Sequence, residues 1–112
     1  MAAPSLITEL EPPQDLEEVV KVFKALSDPA RLKILAYLAS HESGPCCRLE
    51  EGVCACDLEA VTGLSQPTVS HHMKHLVSAG LVIREKRGRW MHYRIHPQGL
   101  APVRAFLSRL GG

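Results

Sequence analysis

Aromatic residues are scarce in this chain, with one tryptophan, two tyrosines and two phenylalanines in 112 residues. The core must therefore be aliphatic, and a chain this short buries only a modest one. No apolar run is long enough to span a bilayer, and no charged-then-apolar leader marks a secretory signal. The chain thus reads as a cytoplasmic protein with no membrane partner. There is no Cys-x-x-Cys, no phosphate-binding glycine loop and no recognisable catalytic partner set, which argues against an enzyme. Acidic residues nearly vanish from the second half. Residues 64–112 hold eight Lys/Arg and one acid, Glu85, a net of +7, whereas residues 1–63 hold five Lys/Arg against eleven Asp/Glu, a net of −6. The overall charge of +1 therefore conceals a basic half suited to a polyanion.

What is present is a succession of short helices. Residues 1–13 carry Pro4, Pro12 and Pro13 with little periodicity and read as an N-terminal arm; residues 14–112 read as one domain. Leu16, Val19, Val20 and Phe23 recur at helical spacing, with Asp15 as N-cap and Glu18 three residues on. A second helix opens at Asp28-Pro29, a cap followed by proline at the first helical position, and fades at Ser40-His41. Residues 41–53 are too rich in glycine, proline and charge for a packed helix, and a connection this long is often functional. A short helix from about Cys56 to Thr62 is broken at Gly63. Ser65 then caps a longer helix that tolerates Pro67 in its first turn and ends before Gly80. Two β-type runs within 81–95 flank a basic turn at Arg87-Gly88 and predict a hairpin. A last amphipathic helix covers roughly Leu100–Leu110, with Val103, Phe106, Leu107 and Leu110 on one face.

Helix, tight turn, capped helix and basic hairpin together predict a mainly α fold with a small β-hairpin wing, a winged helix-turn-helix. Val69, Met73, Leu76 and Val77 form the buried stripe of the longer helix. Ser65, Gln66, Thr68, Ser70, His71, Lys74 and His75 remain for its outer positions. Such a helix fits the major groove of duplex DNA, where short polar side chains near its N-terminus reach base edges. Lys86, Arg87 and Arg89 at the hairpin tip would clamp the adjacent phosphates, adding affinity and salt dependence but little sequence information. His71 and His75, four apart, could alternatively chelate a metal; on an outward face they suit DNA contact or solvent better.

Cysteine occurs at four positions only: Cys46, Cys47, Cys54 and Cys56. In a reducing compartment these serve as thiols or metal ligands rather than a disulfide frame. Soft ions favour thiolate, and a helix N-terminus favours the thiolate form. All four could instead hold a structural zinc ion, although adjacent Cys46-Cys47 is awkward for two bonds to one ion. A thiol redox switch is the third alternative.

Residues 19–96 resemble the ArsR/SmtB family of metal-responsive winged-helix repressors. The resemblance is carried by Phe23-Lys24-Ala25-Leu26-Ser27-Asp28-Pro29-Ala30-Arg31-Leu32-Lys33-Ile34-Leu35, by Cys54-Ala55-Cys56-Asp57-Leu58, by Leu64-Ser65-Gln66-Pro67-Thr68-Val69-Ser70-His71-His72, and by Gly80-Leu81-Val82. It implies a homodimer joined through the first and last helices, operator DNA of two-fold symmetry, and derepression on ligand binding. Members that sense arsenic and antimony carry Cys-x-Cys-Asp-Leu-Cys at the first helix of the DNA-binding motif. Here Cys54, Cys56, Asp57 and Leu58 match, but Glu59 occupies the third cysteine position, which leaves Cys47 or Cys46 to complete a three-thiolate site. The expected inducer is As(III), with Sb(III) beside it; Cd(II), Zn(II) or Pb(II) sensing, or a structural zinc ion, is the alternative. The family's zinc site near the last helix needs an Asp-x-His start that Ile95-His96-Pro97 lacks.

Overall fold

The computed structural model describes residues 13–41 and 52–111. Among these, five helices and three strands follow in order: α1 (Pro13–Leu26), α2 (Pro29–Ser40), β1 (Val53–Cys54), α3 (Ala55–Thr62), α4 (Gln66–Ser78), β2 (Val82–Arg87), β3 (Trp90–Ile95) and α5 (Ala101–Arg109). The arm up to residue 12 and the stretch 42–51, which includes Cys46 and Cys47, lie outside the described residues. Among the described residues no helix is long and apolar enough to cross a membrane.

Local chemistry accounts for most of the boundaries. The α2 start is a capped turn in which Asp28 Oδ1 accepts from the amides of Ala30 at 2.8 Å and Arg31 at 3.3 Å. Desolvation pushes the Asp28 carboxyl up, yet those two amides, with His72 and Arg31 nearby, hold it below its ordinary value. The first helix begins at Pro13, ahead of the start expected at Asp15. A proline in the first turn has a suitable φ and lacks only an N–H that would have no helical partner. Helix α4 closes as expected on Gly80: its amide donates to Val77 O and that of Leu81 to Leu76 O, both at 3.0 Å, the paired bonds of a Schellman end.

The hairpin is regular, with β2 and β3 antiparallel from Val82↔Ile95 to Arg87↔Trp90. A third strand was not expected. Val53 and Cys54 pair with Tyr93 and His92, so the sheet order is β1-β3-β2. Two residues are too few to show any alternation, and their neighbours in sequence read as a loop. Gly52 makes this entry feasible. Its φ of +89° lies in the left-handed region, and a Cβ there would come within 3.1 Å of the Tyr93 carbonyl oxygen.

The core lies where the helices meet the inner face of the sheet. Ile34 of α2, Leu58 of α3, Val69, Met73 and Leu76 of α4, and Val53 and Cys54 of β1 are all essentially without solvent contact. On α1 the buried stripe is Val19, Val22 and Ala25, while Val20 and Phe23 are 48% and 43% exposed. Of the helically spaced Leu16, Val19, Val20 and Phe23, only Val19 is fully buried in the chain's own core, because the apolar arc of α1 is wider than the face that core covers. Helix α5, which packs on α1, behaves likewise, with Val103 buried but Leu107 and Leu110 exposed. Leu58, like Ile34 and Leu76, is fully buried. Leu58→Ala should lower unfolding stability by about 2–5 kcal/mol in a urea titration; a loss below about 1 kcal/mol would remove Leu58 from the centre of the core.

Candidate nucleic-acid interface and thiol site

Helices α3 and α4 are joined by Gly63, Leu64 and Ser65. Gly63, at φ 72°, ends α3 in the left-handed conformation, its amide donating to Glu59 O at 2.9 Å. Thr62 Oγ1 donates to Leu58 O at 2.7 Å and accepts from the Leu64 amide at 3.2 Å. The turn is thereby tied on both sides, which sets how α4 leaves it. Ser65 stands at the N-cap of α4, but its hydroxyl makes no cap bond to the backbone and instead pairs with Thr68 Oγ1 at 3.0 Å. The expected side-chain cap is thus replaced by a Ser65–Thr68 link on the outer surface.

Along α4, Gln66, Ser70, His71, Lys74 and His75 are exposed and Thr68 is half-buried. The predicted outer face is therefore one continuous polar surface. His71 and His75 meet edge-to-face with ring centroids 4.6 Å apart. Desolvation, then the Arg31 guanidinium, His71 and His72, hold the His75 imidazole below its ordinary pKa. Sequence reasoning missed His72, which is buried on the inner side of α4. Its Nδ1 accepts from Arg31 Nε at 3.1 Å, and Arg31 Nη1 donates to Lys24 O at 3.5 Å. Arg31 thus links α4 to α2 and to the end of α1. The signal was available: His72 falls between Val69 and Met73 on the buried helical stripe.

At the wing, Lys86 and Arg89 are exposed, and Trp90 beside them is 49% exposed. Arg87 is less available than expected, since its Nη2 lies 2.9 Å from Glu85 Oε1 on the same strand. An exposed pair of this kind contributes little to stability, so a phosphate can compete for the guanidinium. A cavity of about 160 Å³ separates wing from helix, lined among others by Gln66, Ser70, Arg89 and Trp90.

The thiols sit at the other end of α3. Cys54 ends β1 and occupies the N-cap of α3; Cys56 follows in the first turn. Their sulfurs are 2.8 Å apart, Cys54 fully buried and Cys56 half-buried. Of the groups beside them, His92 had not been singled out, whereas Asp57 was read as part of the Cys54–Leu58 motif. His92, buried at 2% exposure, is the cross-strand partner of Cys54. Asp57 is buried with no hydrogen-bond partner for Oδ2 among the described residues, and it joins desolvation in raising the Tyr37 hydroxyl pKa. Among the described residues no group of three or more His, Cys, Asp or Glu side chains is arranged to hold a metal ion; Cys46 and Cys47 lie outside them.

The geometry is that of a winged helix-turn-helix domain, and comparison with known proteins agrees. The family described as bacterial regulatory protein, arsR family, matches residues 28–84. An arsenical resistance operon repressor of Staphylococcus xylosus is 40% identical over 84 residues, 75% of this chain and 71% of that protein. A cadmium resistance transcriptional regulatory protein, a CadC homolog of Staphylococcus aureus, is 35% identical over 98 residues, 86% of this chain and 74% of that one. Both are regulators of transcription rather than enzymes. Other curated relatives are longer, and the aligned part of the chain spans only 53% and 56% of two of them. Among solved structures, a homodimeric winged helix-turn-helix DNA-binding domain from Mycobacterium bovis superposes with a TM-score of 0.63 at 29% identity, covering 85% of this chain and 79% of that one. Matched in fold, in motif and over most of its described length, the chain belongs to the arsR family of bacterial regulatory proteins.

Proposed function

We propose that the protein is a dimeric transcriptional repressor that binds operator DNA and releases it when As(III), or Sb(III), is captured by cysteine thiolates. The observation that carries this is the pair of sulfurs 2.8 Å apart at the N-terminus of α3, the first helix of the DNA-binding motif. Trivalent arsenic is soft and pyramidal, and it exchanges its three hydroxyls for three thiolates with release of three waters. Cys54 and Cys56 supply two of these, and Cys47 or Cys46 the third. Ligand capture would tie β1 and α3 to the segment before them, and α3 leads through the Gly63 turn into the helix that reads DNA. A ligand shifts this equilibrium only through its different affinity for the two states. Cadmium in the same thiols is a second reading, supported by the likeness to the cadmium resistance regulator over 86% of this chain.

DNA would be read by α4 through Gln66, Ser70 and His71, with Ser65, Thr68, Lys74 and His75 beside them, and gripped by Lys86, Arg87 and Arg89. Dimerisation is supported by the exposed Val20, Phe23, Leu107 and Leu110 on the paired helices α1 and α5, and by the homodimeric relative. A chain with so small a core gains by covering that surface with its own copy. Operator DNA as the target and thiols as the sensor support action in the reducing cytoplasm.

Two outcomes test this reading. Fluorescence anisotropy with an operator duplex should show affinity falling about 5–150-fold when arsenite is added, the range of ordinary allosteric coupling. The Cys54→Ser variant should bind the duplex as before and ignore arsenite. Saturation of the thiols with no change in affinity would sink the coupling, and a response to Cd(II) alone would transfer it to cadmium. In sedimentation, Phe23→Glu should shift the protein from dimer to monomer while far-UV circular dichroism keeps its helical signal. A wild-type monomer would defeat the dimer.

A further inference from the structure

On the side of α4 away from the wing cavity, a cleft of about 360 Å³ opens against α1 and α2. Lys21 and Lys24 come from α1, Arg31 from α2, and His75 and Ser78 from α4, with Ala25 and Ala79 as the small apolar part of the lining. None of these lining residues is acidic. Lys21, Lys24, His75 and Ser78 are exposed, whereas Arg31 is half-buried. Its bonds to His72 and to the Lys24 carbonyl hold the guanidinium at the rear of the cleft. Three permanent cations thus converge with an imidazole and a hydroxyl around an open space. The depressed protonation of His75, due first to desolvation and then to Arg31 and the neighbouring histidines, accords with a positive field that nothing in the lining balances. The C-terminal ends of α1 at Lys24 and Ala25 and of α4 at Ser78 and Ala79 work against an anion, but with roughly half a charge each against three full ones.

We propose that the cleft formed by Lys21, Lys24, Arg31 and His75 is a phosphate site, occupied by a backbone phosphate of the bound duplex flanking the stretch that α4 reads. His75 belongs both to this cleft and to the exposed face of α4, so a strand leaving that face passes directly over the lysines of α1. The DNA footprint then has three parts: the wing, α4, and this cleft on the opposite side. The proposal rests on the DNA-binding reading for the source of the phosphate, but the cleft's affinity for the group itself can be tested independently. Free phosphate offers the same chemistry, and the experiment separates the two.

The test uses the full chain. The operator-duplex binding constant is measured against salt for the wild type, for the double variant Lys21→Ala/Lys24→Ala, and for Lys33→Ala, an exposed lysine of α2 outside the cleft. Both cleft lysines are exposed and alanine is a strong helix former, so the fold should persist. Each phosphate that a lysine no longer neutralises takes about 0.9 off the slope of log K against log salt. The double variant should therefore flatten the slope by about 0.9 for each engaged protomer, with Lys33→Ala close to wild type. In parallel, the His75 ring is followed by NMR as inorganic phosphate is added without DNA.

A flattened slope with a silent His75 supports the duplex as the source. An unchanged slope, with inorganic phosphate raising the His75 pKa in the wild type but not in the double variant, keeps the site and overturns the duplex as its occupant. An unchanged slope with a silent His75 overturns the proposal altogether. Should the wild type bind no duplex at any salt, the DNA-binding reading has failed, and the phosphate titration alone decides the cleft.

Discussion

The antiparallel pairing of Val53 and Cys54 with Tyr93 and His92 is the constraint on which the arrangement of the domain depends. It is only two residues long, yet it fixes the start of α3 to the central strand of the sheet. Cys54 ends the strand and caps the helix in the same step. Through β3 the junction is continuous with the wing, and through α3 and the Gly63 turn it is continuous with α4. The wing and α4, the two elements proposed to face DNA, are therefore hung from one point. The burial of Val53, Cys54, Leu58 and Tyr93 makes that point a packed part of the core, whose atoms cannot shift without disturbing their neighbours.

A second anchor holds α4 from behind. The Arg31–His72 bond is a polar contact at the meeting of three helices, and it sets the rotation of α4 about its own axis more sharply than aliphatic packing can. Val69, Met73 and Leu76 supply the area that keeps α4 attached, but their contacts are non-directional. A hydrogen bond to one ring nitrogen is directional and fixes which side chains face outward. Stability and presentation of the polar face therefore come from different residues of the same helix.

Much of this was legible in the chain, and where legibility failed the cause was specific. The caps at Asp28-Pro29, Gly63 and Gly80 carry their own local chemistry, so α2, α3 and α4 could be bounded from sequence alone. The hairpin was visible because each of its two β-type runs is six residues long and a glycine turn separates them. Strand β1 was invisible because its only support is the pairing with Tyr93 and His92, far along the chain. The period of α1 marked Leu16, Val19, Val20 and Phe23 as helical neighbours, but period alone does not show which of them this chain's own core covers. At the candidate site, the exposed polar residues of α4 from Gln66 to His75 were all named. His72 was not, since its role depends on Arg31 across a tertiary contact. His92 escaped for the same reason, since it meets Cys54 only through the strand pairing; Asp57 was read within the Cys54–Leu58 motif, but its burial was not.

The burial of Cys54 bears directly on how a thiol site could control DNA. Cys54 has no solvent exposure, so on the proposed reading an incoming ion would reach Cys56 first and would bond to Cys54 only after the β1–α3 junction had opened or turned. On the proposed reading, the ligand-bound state then differs from the free state in the one place from which wing and α4 are both suspended. A pair of surface thiols could bind the same ion with equal affinity in both states, and such binding would shift nothing. On that reading, placing one thiol in the core would remove the option, because the bonds that capture the ion would require a geometry that rearranges the face proposed to read DNA.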